Sequence, residues 1–166
     1  MKEGRGDMTR FSWAPVLVVL VGSALGVIAW YSSARAAEPK PTIDPKILTY
    51  KLPDQIPWVK SRTSETAILA GDPAKPGIYV MLVKWLPHNM SRPHFHPNDR
   101  YITVISGTWW IGAGTKYDPD STKPMQPGSF VTHLAGQPHY DGAKDTETVI
   151  EIVGMGPETS TNAEAK

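Results

Sequence analysis

Beyond residue 36, no part of the sequence keeps a helical apolar period for three turns. That absence limits the fold more than any other feature. What recurs instead is a short β-favouring run closed by glycine or proline. Residues 66–70 end in Gly71-Asp72-Pro73, and residues 78–86 end at Pro87. Residues 101–105 end in Ser106-Gly107, and residues 108–111 end in Gly112-Ala113-Gly114. Residues 47–50, 130–133 and 146–153 read as further strands. The 16 prolines and 14 glycines supply the turns between them. Many short strands at regular spacing predict an all-β sandwich or barrel, and 166 residues suit one domain of ordinary size.

The N-terminal residues read differently. Lys2, Arg5 and Arg10 precede an apolar run over residues 13–30, and Ala34-Arg35-Ala36 has the small-x-small form of a cleavage site. The reading is a signal peptide cut after Ala36, with an uncleaved membrane anchor as the alternative. Either one places the remainder outside the cytoplasmic membrane, in the periplasm. Residues 37–45 hold three prolines and form a semi-extended linker. The expected domain spans 46–157. Residues 158–166 are small and polar and read as a disordered tail.

Charge and cysteine usage exclude several classes. The net charge is +1, and about −1 once residues 1–36 are set aside, so no nucleic-acid surface is expected. Contact with a membrane is expected only through the N-terminal segment. With no cysteine there are no disulfides, thiolate ligands or Cys nucleophiles, and stability must come from a packed core.

All five histidines fall between positions 88 and 139. His94 and His96 are separated by one residue, which puts both rings on one face of a strand. Two imidazoles so placed can converge on one metal ion. His139, reached through the turn Gly136-Gln137-Pro138, is the third candidate. Three imidazoles from neighbouring strands can hold a divalent transition metal (Fe, Mn, Zn, Ni or Cu) and leave room for water or a small molecule.

These motifs resemble those of the cupin superfamily. In residues 93–107, His94, His96 and Gly107 match the first cupin motif, and in residues 126–139, Gly128, Gly136 and His139 match the second. The resemblance covers roughly residues 45–157 and is narrowest to small exported bacterial single-domain cupins. It implies the cupin β-barrel, also called a double-stranded β-helix or jelly roll. It also implies a metal site of three His and one Glu. Arg100 stands where that Glu falls, Leu134 replaces a usual proline, and Ala143 replaces the closing Asn. The metal set is therefore at most the three histidines.

Arg100 alters the electrostatics. A guanidinium about 4 Å from a unit positive charge costs on the order of 4 kcal/mol at an effective dielectric near 20. Arg100 can turn away to pair with Asp99 or Asp141, it can clamp an anionic ligand in bidentate fashion, or the site can lack a metal. Trp109 and Trp110 point to opposite faces, one towards the barrel and one outside. Trp109, Tyr140 and Arg100 are the candidate substrate contacts, with Tyr101 as a further lining candidate. His133 reads as a residue behind the ligands, with ligation or proton transfer as alternatives. Glu151, between Val149 and Val153, reads as a replacement carboxylate near the site or, preferably, as an edge residue facing solvent. His88 reads as an exposed turn residue.

Three functional readings follow. The first is an exported metal-binding cupin with a small, anionic ligand. The second is a metal-dependent enzyme of dioxygenase or isomerase type acting on a small oxygenated substrate. The third is a metal-free structural cupin, dimeric through exposed strand edges. The residues leave enzyme and binder open. The absent Glu and the lack of an evident general base lean towards the binder.

Overall fold

The computed structural model describes residues 42–166, and Asp44–Lys166 form one compact unit. The signal or anchor segment 1–36 and the linker up to residue 41 lie outside the described residues. Among the described residues no helix is long and apolar enough to cross a membrane.

Among the described residues, twelve strands make two antiparallel sheets. In chain order they are β1 (Val59–Lys60), β2 (Ser64–Ala70), β3 (Gly77–Trp85), β4 (Asn89–Met90), β5 (His94–Phe95) and β6 (Arg100–Ser106). β7 (Trp109–Ala113), β8 (Lys123–Met125), β9 (Phe130–His133), β10 (His139–Ala143), β11 (Thr148–Gly156) and β12 (Thr161–Asn162) follow. The first sheet runs β1-β2-β3-β11-β6-β9 and the second β12-β5-β10-β7-β8, with β4 also paired to β10. Most neighbours in each sheet are distant in sequence, the jelly-roll pattern of crossing connections.

β11 anchors the first sheet. It pairs with β3 without interruption from Thr148↔Trp85 to Gly156↔Gly77, and with β6 on its other edge. Side chains alternate across a strand, so Ile150 and Ile152 turn inward while Glu151 turns out. The two isoleucines pack with Tyr79, Ile102, Val104 and Trp109 in the core between the sheets. Each such side chain contributes about 1.5–3 kcal/mol by leaving water. A one-residue slip of β11 would put Glu151 and Val149 into that core, so burial fixes the register.

Two glycines allow close approaches that a side chain would forbid. Gly107 closes β6 at φ +74°, and a Cβ there would lie 2.2 Å from the Glu147 carbonyl oxygen. At Gly142 a Cβ would lie 2.2 Å from the Asn89 carbonyl oxygen, so glycine is what lets β4 dock against β10.

The expected strands within residues 66–153 are present, with their ends moved by a few residues. Residues 47–50, expected to be a strand, are an exposed turn and coil. The segment beyond Pro157 differs most from expectation. It carries β12, which pairs with β5 at Thr161↔Phe95 and Asn162↔His94. Residues 158–166 therefore belong with the domain and are not a disordered tail.

Candidate metal centre

His94 and His139 are direct cross-strand partners on β5 and β10. His96 lies two residues beyond His94, past the end of β5. Ring centroids are 4.6 Å apart for His94–His139, 4.9 Å for His94–His96 and 5.3 Å for His96–His139. One ligating nitrogen from each lies within 4.8 Å of the others.

The backbone sets the tautomer of all three rings. A carbonyl oxygen can only accept, so each Nδ1 facing one must carry the hydrogen. His94 Nδ1 donates to Arg92 O (2.8 Å), His96 Nδ1 to Thr159 O (2.9 Å) and His139 Nδ1 to Gln137 O (3.0 Å). Each neutral ring then keeps its lone pair on Nε2, the state a metal ligand needs. Burial pushes the His96 pKa down to about 3, helped by the positive charge of Arg100. Burial also lowers that of His139.

Arg100 does not turn away. It is buried, and its Nη1 donates to His96 Nε2 at 2.5 Å and to Glu158 Oε1 at 3.0 Å. Neither expected acidic partner takes it. Asp99 accepts from the Ala135 amide, and Asp141 accepts from Ser91 Oγ and Trp109 Nε1. The guanidinium thus sits on a lone pair that a metal would use. Glu158, assigned from sequence to a disordered tail, is the missed residue. No local motif marks it, because its partner is 58 positions away.

A cavity of about 500 Å³ opens onto these groups. Met81, Val83, Ile150 and Ile152 form its apolar wall, and Arg100, Glu158, Ser160 and Asn162 contribute polar groups. Arg100 Nε, His133 Nδ1 and His139 Nε2 are buried without a hydrogen-bond partner. Unpartnered buried polar atoms of this kind call for a ligand or ion. The donor set fits a divalent transition metal at three positions, with Arg100 competing for the nitrogen of His96.

His133 lies beside His139 and lines the same cavity. Its ring centroid is 3.7 Å from that of His139, and burial pushes its pKa down to about 2. A second cavity of about 410 Å³, lined by Ile111, Val131, Leu134 and Lys123, also reaches His133 and His139.

Three candidate residues are elsewhere. Trp109 is fully buried in the core, and its Nε1 donates to Asp141 at 3.1 Å, so it is a packing residue and not a ligand contact. Tyr140 points away from its neighbour His139 by strand alternation, and its hydroxyl donates to the Asp118 carbonyl at 3.0 Å. Glu151 faces outward between Thr103 and Leu82, opposite the cavity wall, and is not near the histidines. Trp110 packs outside under Lys144, and Tyr101 stacks on Phe130 on the outer face of the first sheet. His88 is exposed in its turn.

Two sheets in jelly-roll order recur among solved structures. The polyketide cyclase RemF from Streptomyces resistomycificus superposes with a TM-score of 0.59 at 16% identity, over 72% of this chain and 87% of its own. A cupin-2 domain from Rhodospirillum rubrum gives 0.54 at 13% identity, over 72% and 81%. This chain has the cupin fold. A double-stranded β-helix protein of uncharacterised function from Klebsiella pneumoniae gives 0.52 at 17% identity, over 64% of this chain and 90% of its own. No protein-family model and no curated protein matches the sequence of this chain.

Proposed function

We propose that this cupin domain binds a divalent transition metal (Fe, Mn, Zn, Ni or Cu) through His94, His96 and His139 and presents it to a small anionic molecule. The observation that carries the reading is the three Nδ1–H bonds to backbone carbonyls. They preset three Nε2 lone pairs in one cluster, at a cost in ring freedom that packing alone would not require. When bound, a divalent ion there supplies a Lewis acid that polarises a ligand oxygen. Arg100 brings a guanidinium fork of donors to the cavity, which suits a carboxylate, beside the Glu158 that pairs with it. The apolar wall keeps bulk water from the other side of the ligand.

The apolar run at residues 13–30 supports a place for the domain outside the cytoplasmic membrane, in the periplasm or anchored to face it. Exposed Tyr101, Ile105 and Phe130 on the outer face of the first sheet support association of two copies.

Elemental analysis of the protein isolated from its native envelope tests the metal. The expected result is one transition-metal ion per chain, lost in His94→Ala/His96→Ala. A metal-free wild type whose melting ignores chelators would refute the reading in favour of a structural cupin.

A second reading, a metal-dependent enzyme acting on a small oxygenated substrate, is favoured by His133. Its neutral imidazole keeps an unpartnered nitrogen next to the cluster, free to exchange a hydrogen bond with a substrate. One fold neighbour, RemF, is named as a polyketide cyclase, so this scaffold can carry catalysis. Oxygen uptake and product formation against a panel of small carboxylates and phenols, with His133→Phe as control, separate enzyme from binder.

A further inference from the structure

Residues 158–165 do more than extend the domain. β12 pairs with β5, which holds His94, and the far edge of β5 pairs with β10, which holds His139. The segment is pinned along its length. The Ala163 amide donates to Pro93 O and the Ala165 amide to Thr115 O, both at 2.9 Å. Glu164 takes both Arg92 Nε and Arg92 Nη2, and that guanidinium also lies 3.9 Å over the Tyr117 ring.

Two consecutive residues of this segment control the two nitrogens of His96. Thr159 O accepts from Nδ1. Glu158 Oε1 holds Arg100 Nη1, which in turn donates to Nε2. We propose that residues 158–165 are a positioning strap for the metal centre: Thr159 orients the His96 ring, and Glu158 holds Arg100 as a displaceable cation on its ligand nitrogen.

The proposal rests on the metal-binding reading above. A metal reaching His96 must displace Arg100 from Nε2. Glu158 gives the released guanidinium an anionic partner at 3.0 Å and offsets its repulsion of the incoming ion. Without the strap, His96 loses the acceptor that keeps its hydrogen on Nδ1, and Arg100 is left as an uncompensated charge. The missing family carboxylate is thus answered by one delivered from far along the chain, acting on the arginine and not on the metal.

The test uses the full chain and Zn²⁺ as the probe, titrated against a chromophoric chelator. Glu158→Gln should weaken Zn²⁺ binding about tenfold, the range for partners that orient ligands. The same substitution in an Arg100→Ala background should cost several-fold less, because its target is gone. Equal losses in both backgrounds would overturn the route through Arg100. Ala163→Pro/Glu164→Ala removes two pins of the strap without touching a histidine. In metal-free samples, ring ¹⁵N spectra should show His96 with its hydrogen on Nδ1 in wild type and a tautomer mixture in the unpinned variant. An unchanged His96 ring in that variant would overturn the strap. Wild type that takes up no Zn²⁺ would overturn the metal reading, while the ring spectra would still decide whether the strap positions His96.

Discussion

Replacing Arg100 with methionine should tighten metal binding. The side chain keeps its bulk and loses its charge. In the structure the guanidinium nitrogen is 2.5 Å from His96 Nε2, so it must retreat before an ion can bind there. At about 4 Å from a divalent ion it would still cost about 8 kcal/mol at an effective dielectric near 20, twice the figure for two unit charges. The Glu158 carboxylate, 3.0 Å from the same nitrogen, is present in both proteins, so its attraction for the ion cancels from the comparison. The guanidinium can swing further towards the cavity mouth, and water there reduces the cost to about 1.5–3 kcal/mol. The expected gain in Zn²⁺ affinity is therefore about ten- to hundredfold. Competition against a chelator of known affinity reads it directly, and thermal unfolding of the metal-free variant checks that the fold is intact. Equal or weaker binding in a folded Arg100→Met protein would refute the account of Arg100 as a competitor for His96.

Three other outcomes follow. His96 and His133 are held neutral with pKa values pushed down to about 3 and about 2, from 6.5. A depressed histidine pKa means the unfolded chain binds the proton first. The metal-free domain should thus hold full stability above about pH 6.5 and lose it as the pH falls towards 3. For His133 the loss is about 2 kcal/mol by pH 5, at 1.36 kcal/mol per pH unit; urea midpoints flat between pH 7 and 5 would contradict this. Trp109→Phe should cost about 1–3 kcal/mol by leaving Asp141 short of a donor in the core, with Zn²⁺ affinity unchanged. A change in affinity without a change in stability would return Trp109 to the site. Gly142→Ala should cost about 1–3 kcal/mol or more, because its Cβ meets the Asn89 carbonyl, and unfolding midpoints equal to wild type would show that β4 can yield.

The parts of the site visible in the sequence share a local rule. His94 and His96 were visible because a strand repeats every two residues, and His139 because a turn ending in histidine follows Gly136. The same parity, applied one step further, excludes two wrong candidates. Once His139 faces in, Tyr140 must face out, and once Ile150 and Ile152 face in, Glu151 cannot. The assignment of Trp109 needed depth as well as side. Alternation separates it from Trp110, but only packing between the sheets shows that it lies in the core and not in the cavity lining. Glu158 and Thr159 were beyond local reasoning. A carbonyl oxygen leaves no mark in a side-chain pattern, and the acceptor of Arg100 is set by how residues 158–162 fold back along β5. Small polar residues read as solvated until a strand edge is known to be waiting for them.

β10 has one further consequence. Every residue from His139 to Ala143 is buried, and hydrogen-bonded neighbours flank the strand on both sides. Such a strand has no slack in which to slide, and a shift of one place would present tyrosine where imidazole is wanted. The position of the third ring is therefore locked by ladder pairing, whatever happens in the exposed bend at residues 134–137. The exposed side chains of that bend are free to change around an immovable centre so long as the Gln137 carbonyl still meets His139 Nδ1, which is where a scaffold of this kind can acquire new tastes without losing its grip.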